Sequence, residues 1–374
     1  MVWCNAETLA REVRKLELEA HVSRFAILLH WDRPRFDVAQ WWRQVREGRA
    51  LVRRHGIRLL HSNSAAPCQW LLPVARAERL PLLVHLHAPY QLRERMTLGL
   101  HQATLVVGVT RGCIEGLLAD GMPAARTKTI YNGVDPATFA VGDERGLRAR
   151  LGIPADAVVL ARVGSLIHRK AVDVMLRVFA RLRAERRGVQ LLIAGEGPDR
   201  AALEAQARAL GVADAAHFLG YVPSTGALLR DATDIAVSPA RMEGFGLTVI
   251  EAGLAGKPVV ATDTTGMTEI LRSGENGTIV PVEDEDALLA ALRELVDSPS
   301  LRARYAEALR RTVEERFLVS TYVRSFEETY AELLARPRES LGWSAPWTPP
   351  GMYLRWLRGV VGRRLGVSPS ADAP

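Results

Sequence analysis

The amino-acid sequence predicts an α/β protein made of two doubly wound domains. Three observations carry that expectation. Its 374 residues are enough to bury two separate cores. Short runs rich in Val, Ile and Leu alternate with helix-length segments, the pattern of strands buried on both faces of a parallel sheet. A turn-rich break, Asn132-Gly133-Val134-Asp135-Pro136, is followed after a short Arg-rich helix by Gly152-Ile153-Pro154, and it divides the pattern into two halves.

In chain order, Met1-Val2-Trp3-Cys4-Asn5 leads into a helix over 6–20, and five strands follow near 25–29, 57–61, 82–87, 104–109 and 127–131. The second half gives six strands near 157–163, 189–194, 217–219, 234–238, 258–261 and 278–280, with helical segments between them. Helices over 284–296, 301–317 and 321–334 come next, after which Pro337, Pro346, Pro349 and Pro350 break the pattern into an extended segment. The expected division is one domain over 1–145, a second over 146–319, a closing helix over 320–335 and a basic, Trp- and Pro-rich tail over 336–374.

Hydrophobic residues make up 48% and charged residues 24%, which excludes disordered, collagen-like and coiled-coil classes. The net charge of +7 is regional: +8 over 1–150, −5 over 151–335 and +4 over 336–374. Only Lys15, Lys128, Lys170 and Lys257 are lysines, and a GC-rich coding bias accounts for the Arg skew without nucleic-acid binding, for which no motif is present. The basic regions suit an anionic membrane surface or an acidic substrate, or are simply solvated. Three cysteines without C-x-x-C spacing support neither a disulfide framework nor a zinc site, so a reducing cytoplasm is expected. No signal-peptide pattern opens the chain, and no apolar run reaches the ~18 residues of a membrane span, so any membrane contact is expected to be peripheral.

The strongest constellation is Glu243-Gly244-Phe245-Gly246-Leu247-Thr248-Val249-Ile250-Glu251, followed by Ala252-Gly253-Leu254-Ala255-Gly256-Lys257-Pro258-Val259-Val260. Glycines before a helix leave backbone N–H groups bare at its positive end, where a diphosphate can sit. Two carboxylates at the carboxyl end of a strand can accept hydrogen bonds from sugar hydroxyls, although a helix-terminus charge plus a solvated Glu fits the spacing equally well. Gly195-Glu196-Gly197 lacks the third glycine of a dinucleotide fingerprint. His85 and His87 share one face of a strand, with no third metal ligand near in sequence. Walker loops and nucleophile elbows are absent.

The glutamate pair in this wording closely resembles the retaining glycosyltransferases of family 4, which have the GT-B fold of two Rossmann-like domains flanking a cleft. Val163-Gly164-Ser165-Leu166 with Arg169-Lys170, Leu192-Ile193-Ala194-Gly195-Glu196-Gly197-Pro198, Phe218-Leu219-Gly220-Tyr221-Val222, Ser238-Pro239 and the Asn132-Gly133-Val134-Asp135 linker share the likeness. The resemblance implies that Glu243 contacts the donor sugar, Glu251 the nucleotide ribose, and the Gly244–Leu247 backbone, including Phe245 and Gly246, the diphosphate. It implies that Lys170 binds the diphosphate, where a cation stabilises charge growing on the leaving group. Gly164, Gly195 and Gly197 become close-approach positions on the donor side. His87, at the end of its strand, is similar to a histidine placed beside donor sugar and acceptor, and His61-Ser62-Asn63-Ser64 either lines the acceptor side or is a turn. The family usually places Arg where this chain has Ser165, and Arg169 is the expected compensation.

Two departures stand out. Family members usually open with a strand and a glycine-rich loop, and neither is found. An upstream start, a remnant strand in Met1–Cys4, or loss of the loop and of activity each explains this. In the tail, Tyr353, Leu354, Trp356, Leu357, Val360, Val361 and Leu365 interleave with Arg355, Arg358, Arg363 and Arg364, compatible with an amphipathic helix on an anionic membrane or with packing onto the first domain. The expected function is metal-independent, retaining transfer of a sugar from a nucleotide-sugar donor, UDP- or GDP-linked, to a hydroxyl acceptor in polysaccharide or glycolipid synthesis. The alternatives are a GT-B nucleotide-sugar epimerase and a catalytically silent nucleotide-sugar-binding subunit. Separate cofactors and nucleic acid are not expected, and the acceptor is expected to be a sugar or lipid-linked saccharide.

Overall fold

The computed structural model describes residues 1–28 and 36–342, so the end of the predicted strand at 25–29 and the predicted tail helix lie outside the described residues. The chain divides into two compact units, Met1–Ile130 with Phe326–Pro374, and Tyr131–Ser325. Among the described residues no helix is long and apolar enough to cross a membrane.

Among the described residues, the first unit contains six strands, β1 (Val2–Cys4), β2 (Ala20–Val22), β3 (Leu60–Ser62), β4 (Leu82–Leu86), β5 (Leu105–Gly108) and β6 (Thr127–Thr129). β3 to β6 form a parallel sheet in simple chain order, while β1 and β2 pair with each other in a separate parallel ribbon. β4 and β5 are buried along their whole lengths, which explains why they read as unbroken apolar runs. The helices Val38–Arg54 and Cys68–Glu78 pack against each other beside this sheet.

Two expectations for the N-terminal region are corrected. Residues 25–27 are not a strand, because their backbone is satisfied by side chains instead of by a neighbouring strand. The Ala26 N–H donates to Gln44 Oε1 at 2.8 Å and the Leu28 N–H to Gln69 Oε1 at 2.7 Å, and Gln69 Nε2 donates back to the Leu28 carbonyl at 3.0 Å. Phe25 meets Trp3 edge to face at 5.5 Å and Trp70 at 4.8 Å, so its apolar character serves an aromatic cluster. The helix expected over 6–20 ends at Lys15, since Glu17 adopts φ +59 and turns the chain toward β2. Met1–Cys4 contains a three-residue strand, β1, which pairs with β2 and not with the β3–β6 sheet.

The second unit holds β7 (Val158–Val163), β8 (Val189–Ala194), β9 (Ala216–Gly220), β10 (Ile235–Ser238), β11 (Val259–Thr262) and β12 (Thr278–Val280). All six are parallel in the order β12-β11-β10-β7-β8-β9, so the direction of winding reverses between β7 and β10. Its core packs Val172–Glu185 and Glu285–Asp297 around Leu160, Met175, Leu176, Phe179, Ile193 and Leu292. Apolar residues at three- and four-residue spacing along those helices place one face on the sheet. Both the six strands and the doubly wound topology expected here are present.

Candidate active site

In an open parallel sheet, ligands bind beyond the strand carboxyl ends where the winding reverses. In the second unit that position lies between the loops leaving β7 and β10, and these loops are tied together. Arg241, after β10, donates from Nη1 to the His168 carbonyl at 2.7 Å and makes a two-nitrogen pair with Asp173, at 2.8 Å each, and its Nε bonds Glu283 at 2.7 Å. These partners raise its pKa, the Asp173 hydrogen bonds most. The Arg241 N–H donates to the Arg169 carbonyl at 2.9 Å, and Arg169 Nη1 returns a bond to the Met242 carbonyl at 2.9 Å.

This bracing brings Lys170 and Glu243, which are 73 residues apart, into a direct ion pair. Both side chains are largely buried, at 19% and 17% exposure, so the pair is shielded from bulk screening. Lys170 ends a 3-10 turn, His168–Lys170, before the helix Val172–Glu185. Glu243 sits in the turn before the helix Leu247–Leu254, and its Oε1 accepts the Gly244 N–H at 3.2 Å. Gly246 caps that helix at φ +106, a conformation that favours glycine, and a Cβ there would also have to displace the flexible end of Met267, whose Cε lies 2.6 Å away. Phe245 turns inward, 3% exposed, against Phe317 and Tyr131, whereas Leu247 remains half exposed.

The β7 and β8 loops form the adjoining wall. The Gly164 N–H donates to the Ala194 carbonyl at 2.9 Å and the Leu166 N–H to the Glu196 carbonyl at 2.9 Å. A Cβ on Gly195, which has φ +134, would fall 2.0 Å from the Gly164 carbonyl oxygen, so the two loops touch backbone to backbone. Gly197 lies equally close to Leu166. Glu251 is on the helix Leu247–Leu254, one turn inside, and burial raises its pKa against the lowering effect of a Thr225 hydrogen bond.

Arg162 is a site residue that the sequence reading passed over. It is only 2% exposed within β7, and it clamps the following loop by donating from Nη1 to the Gly164 carbonyl and from Nη2 to the Ser165 carbonyl at 3.0 Å. Burial pushes its pKa down to about 10, opposed by the Glu243 charge. An Arg inside the otherwise apolar run Val158–Val163 was the available signal.

His87 belongs to the first unit, just past the carboxyl end of β4. Its Nε2 and the Nδ1 of His85 both meet Asn63 Oδ1, at 3.0 and 3.2 Å, so the predicted shared face is real and Asn63 joins the two rings. Desolvation lowers the His87 pKa. His85 is buried, and burial with the neighbouring His87 and His61 charges lowers it to about 3. His61 stacks on Phe326 at 5.3 Å and hydrogen bonds the Tyr330 hydroxyl at 2.7 Å, and burial then His87 lower it to about 4.

Comparison with known proteins bears on this arrangement. The profile described as Glycosyl transferases group 1 matches residues 143–312, and that described as Glycosyltransferase Family 4 matches residues 3–138. The chain is 38% identical over 199 residues to D-inositol 3-phosphate glycosyltransferase 2 of Catenulispora acidiphila, covering 50% of this chain and 46% of that protein. It is 24% identical over 295 residues to N-acetyl-alpha-D-glucosaminyl L-malate synthase of Bacillus anthracis, covering 76% and 77%. The chain spans about half the length of the inositol-phosphate glycosyltransferases that it matches. Among solved structures, Anabaena HepE in complex with UDP and glucose aligns with TM-score 0.74 at 22% identity over 87% of this chain and 88% of that one. Sucrose-phosphate synthase of Thermosynechococcus elongatus aligns with TM-score 0.71 at 22% identity, covering 84% and 83%.

Two α/β units, the second wound about a switch point that carries a glycine turn and a helix N-terminus, define the GT-B fold class. Within it, the chain belongs to the group 1, family 4 glycosyltransferases.

Proposed function

We propose that the protein transfers a sugar from a nucleotide-sugar donor to a hydroxyl acceptor with retention of anomeric configuration and without a metal ion. The observation that carries this reading is the Lys170–Glu243 pair beside the glycine-capped helix Leu247–Leu254 at the switch point. A lysine and a helix N-terminus together supply positive charge to a departing diphosphate, and an adjacent carboxylate accepts sugar hydroxyls. On this reading Lys170, Ser165, Arg169, Gly164 and the Gly244–Leu247 backbone hold the diphosphate, Glu243 the sugar and Glu251 the ribose. Gly195 and Gly197 let the wall approach closely, and His87 serves donor sugar and acceptor. Residues 146–319 carry the donor and 1–145 the acceptor. Arg162, held at the Gly164–Ser165 loop, adds a second positive charge beside Ser165.

The complex of Anabaena HepE with UDP and glucose favours a uridine nucleotide over a guanosine one. The inositol-phosphate relatives, together with the lipopolysaccharide core glycosyltransferase LpsE of Rhizobium meliloti, 34% identical over 189 residues, favour an anionic or lipid-linked acceptor in glycan synthesis. The excess positive charge of residues 1–150 agrees with that, and with work at the inner face of a membrane from the cytoplasmic side. The test is a thermal-shift screen of UDP-, GDP- and ADP-sugars, followed by mass spectrometry and anomeric NMR of products. A glycoside with the donor's anomeric configuration is expected. Release of an epimerised sugar, or nucleotide binding without transfer or donor hydrolysis, overturns the reading.

A further inference from the structure

At the opposite edge of the first unit's sheet, where β4, β5 and β6 begin, lies a cavity of about 240 Å3, far above the roughly 30 Å3 that one water takes in the liquid. Three guanidinium groups line it, from separate stretches of chain: Arg76 in the helix Cys68–Glu78, Arg126 in the 3-10 turn before β6, and Arg336 beyond the helix Val319–Leu334. Gln102 and Thr104 complete its polar wall. Among the described residues that line it there is no carboxylate.

Bringing three cations around one cavity is unfavourable unless something offsets their repulsion. The Arg126 pKa is lowered first by burial and then by the charges of Arg76 and Arg336. Arg76 is 4% exposed and is lowered by burial. Two of the groups are fixed in place by backbone: Arg76 Nη1 donates to the Gly342 carbonyl at 3.1 Å, and Arg126 Nη2 to the carbonyls of His101, at 3.0 Å, and Ala103. The Arg336 side chain makes no hydrogen bond or ion pair among the described residues, and neither do Nε and Nη1 of Arg126. The Gln102 Oε1 atom is buried with no hydrogen-bond partner. An amide rotation exchanges that oxygen for an N–H2 donor, which is the polarity that an anion needs.

We propose that this cavity binds a phosphomonoester dianion. Planar guanidinium forks pair with phosphoryl oxygens through two parallel hydrogen bonds, and pre-positioned forks lose little entropy in doing so. The site stands on residues at the strand N-terminal ends and is independent of the donor reading above. The phosphoryl group has two possible sources, a soluble phosphate ester or a lipid headgroup.

The test uses the full-length chain in two arms: calorimetric titration with glycerol 1-phosphate, and sedimentation with phosphatidylcholine vesicles containing phosphatidic acid. Saturable binding is expected in at least one arm, weakened about tenfold or more by Arg336→Gln and also by Gln102→Leu. Lys170→Ala is expected to leave it unchanged, which separates this site from the donor's diphosphate. Binding in the titration identifies a soluble ester, and binding to vesicles alone identifies the headgroup. The proposal fails if neither arm shows binding, or if Lys170→Ala abolishes the binding while Arg336→Gln leaves it intact.

Discussion

Lys170 and Glu243 illustrate how a pair of side chains becomes a site through its surroundings. As a surface pair it would contribute about 0–1 kcal/mol to stability, and its partial burial does not turn it into a major folding determinant. Its value lies in holding a cation and a carboxylate at the end of a helix. Lys170→Ala and Glu243→Ala are each expected to lower the transfer rate by on the order of a hundredfold, with melting temperatures close to that of the parent protein. Unchanged turnover in both variants, measured with saturating donor, would remove them from the chemistry. His61 gives a residue-scale prediction of a different kind. Free in the unfolded chain its imidazole titrates near 6.5, whereas in the fold it is lowered to about 4, so the neutral ring is the favoured folded form. The stability this contributes is complete above pH 6.5 and is lost as the pH falls toward 4. In His61→Phe, which keeps an aromatic ring on Phe326, the loss of melting temperature on acidification from neutral pH toward about 5 is expected to be smaller than in the parent. An identical slope in the two proteins counts against this assignment.

At the scale of elements, loops decide more than strands. Gly195 admits no Cβ because the Gly164 carbonyl occupies that space, and relief would require moving two backbone segments. Gly195→Ala is therefore expected to lower stability by about 3 kcal/mol or more and to impair donor binding, readable by denaturant unfolding and nucleotide titration. Gly256→Ala, with open space around its Cβ but φ +68, is expected to lose only about 1 kcal/mol. The segment around Ala26 and Leu28 supplies a second element-scale expectation. Gln69→Ala leaves the Leu28 N–H and carbonyl and the Thr97 carbonyl without their side-chain partner, with a predicted loss of about 1–3 kcal/mol. A neutral effect would mean that water replaces the glutamine at no penalty.

For the whole molecule, each unit carries its own sheet and its own buried residues, as expected for a chain of this length. Cys4, Cys68 and Cys113 are all reduced and buried, and burial raises the Cys68 thiol to about 12. A thiol reagent is expected to label none of the three in the native protein at neutral pH and all three after unfolding. Fast labelling of the native chain would show that the first unit opens readily. The positive charge over residues 1–150 belongs to one region of the chain, and it acts on encounter with anionic partners, in a salt-dependent way, more than on the fold.

The sequence by itself determined the α/β class, all six strands of the second unit, and the glutamate turn with its flanking glycines. Buried parallel strands must be apolar throughout, and turns with positive φ must be glycine, so these features are written locally. It also placed His85 and His87 on one face, because strand periodicity is local. Other features depended on contacts between distant residues. The pairing of Lys170 with Glu243 needs β7 and β10 to be neighbours in the sheet. The role of Arg162 depends on which loop its guanidinium reaches. Residues 25–27 have strand composition, yet Gln44 and Gln69 satisfy their ends, and only the tertiary structure brings those glutamines within reach. The arginine-lined cavity is likewise invisible in sequence, since Arg76, Arg126 and Arg336 converge only after the sheet and the helix Val319–Leu334 have assembled.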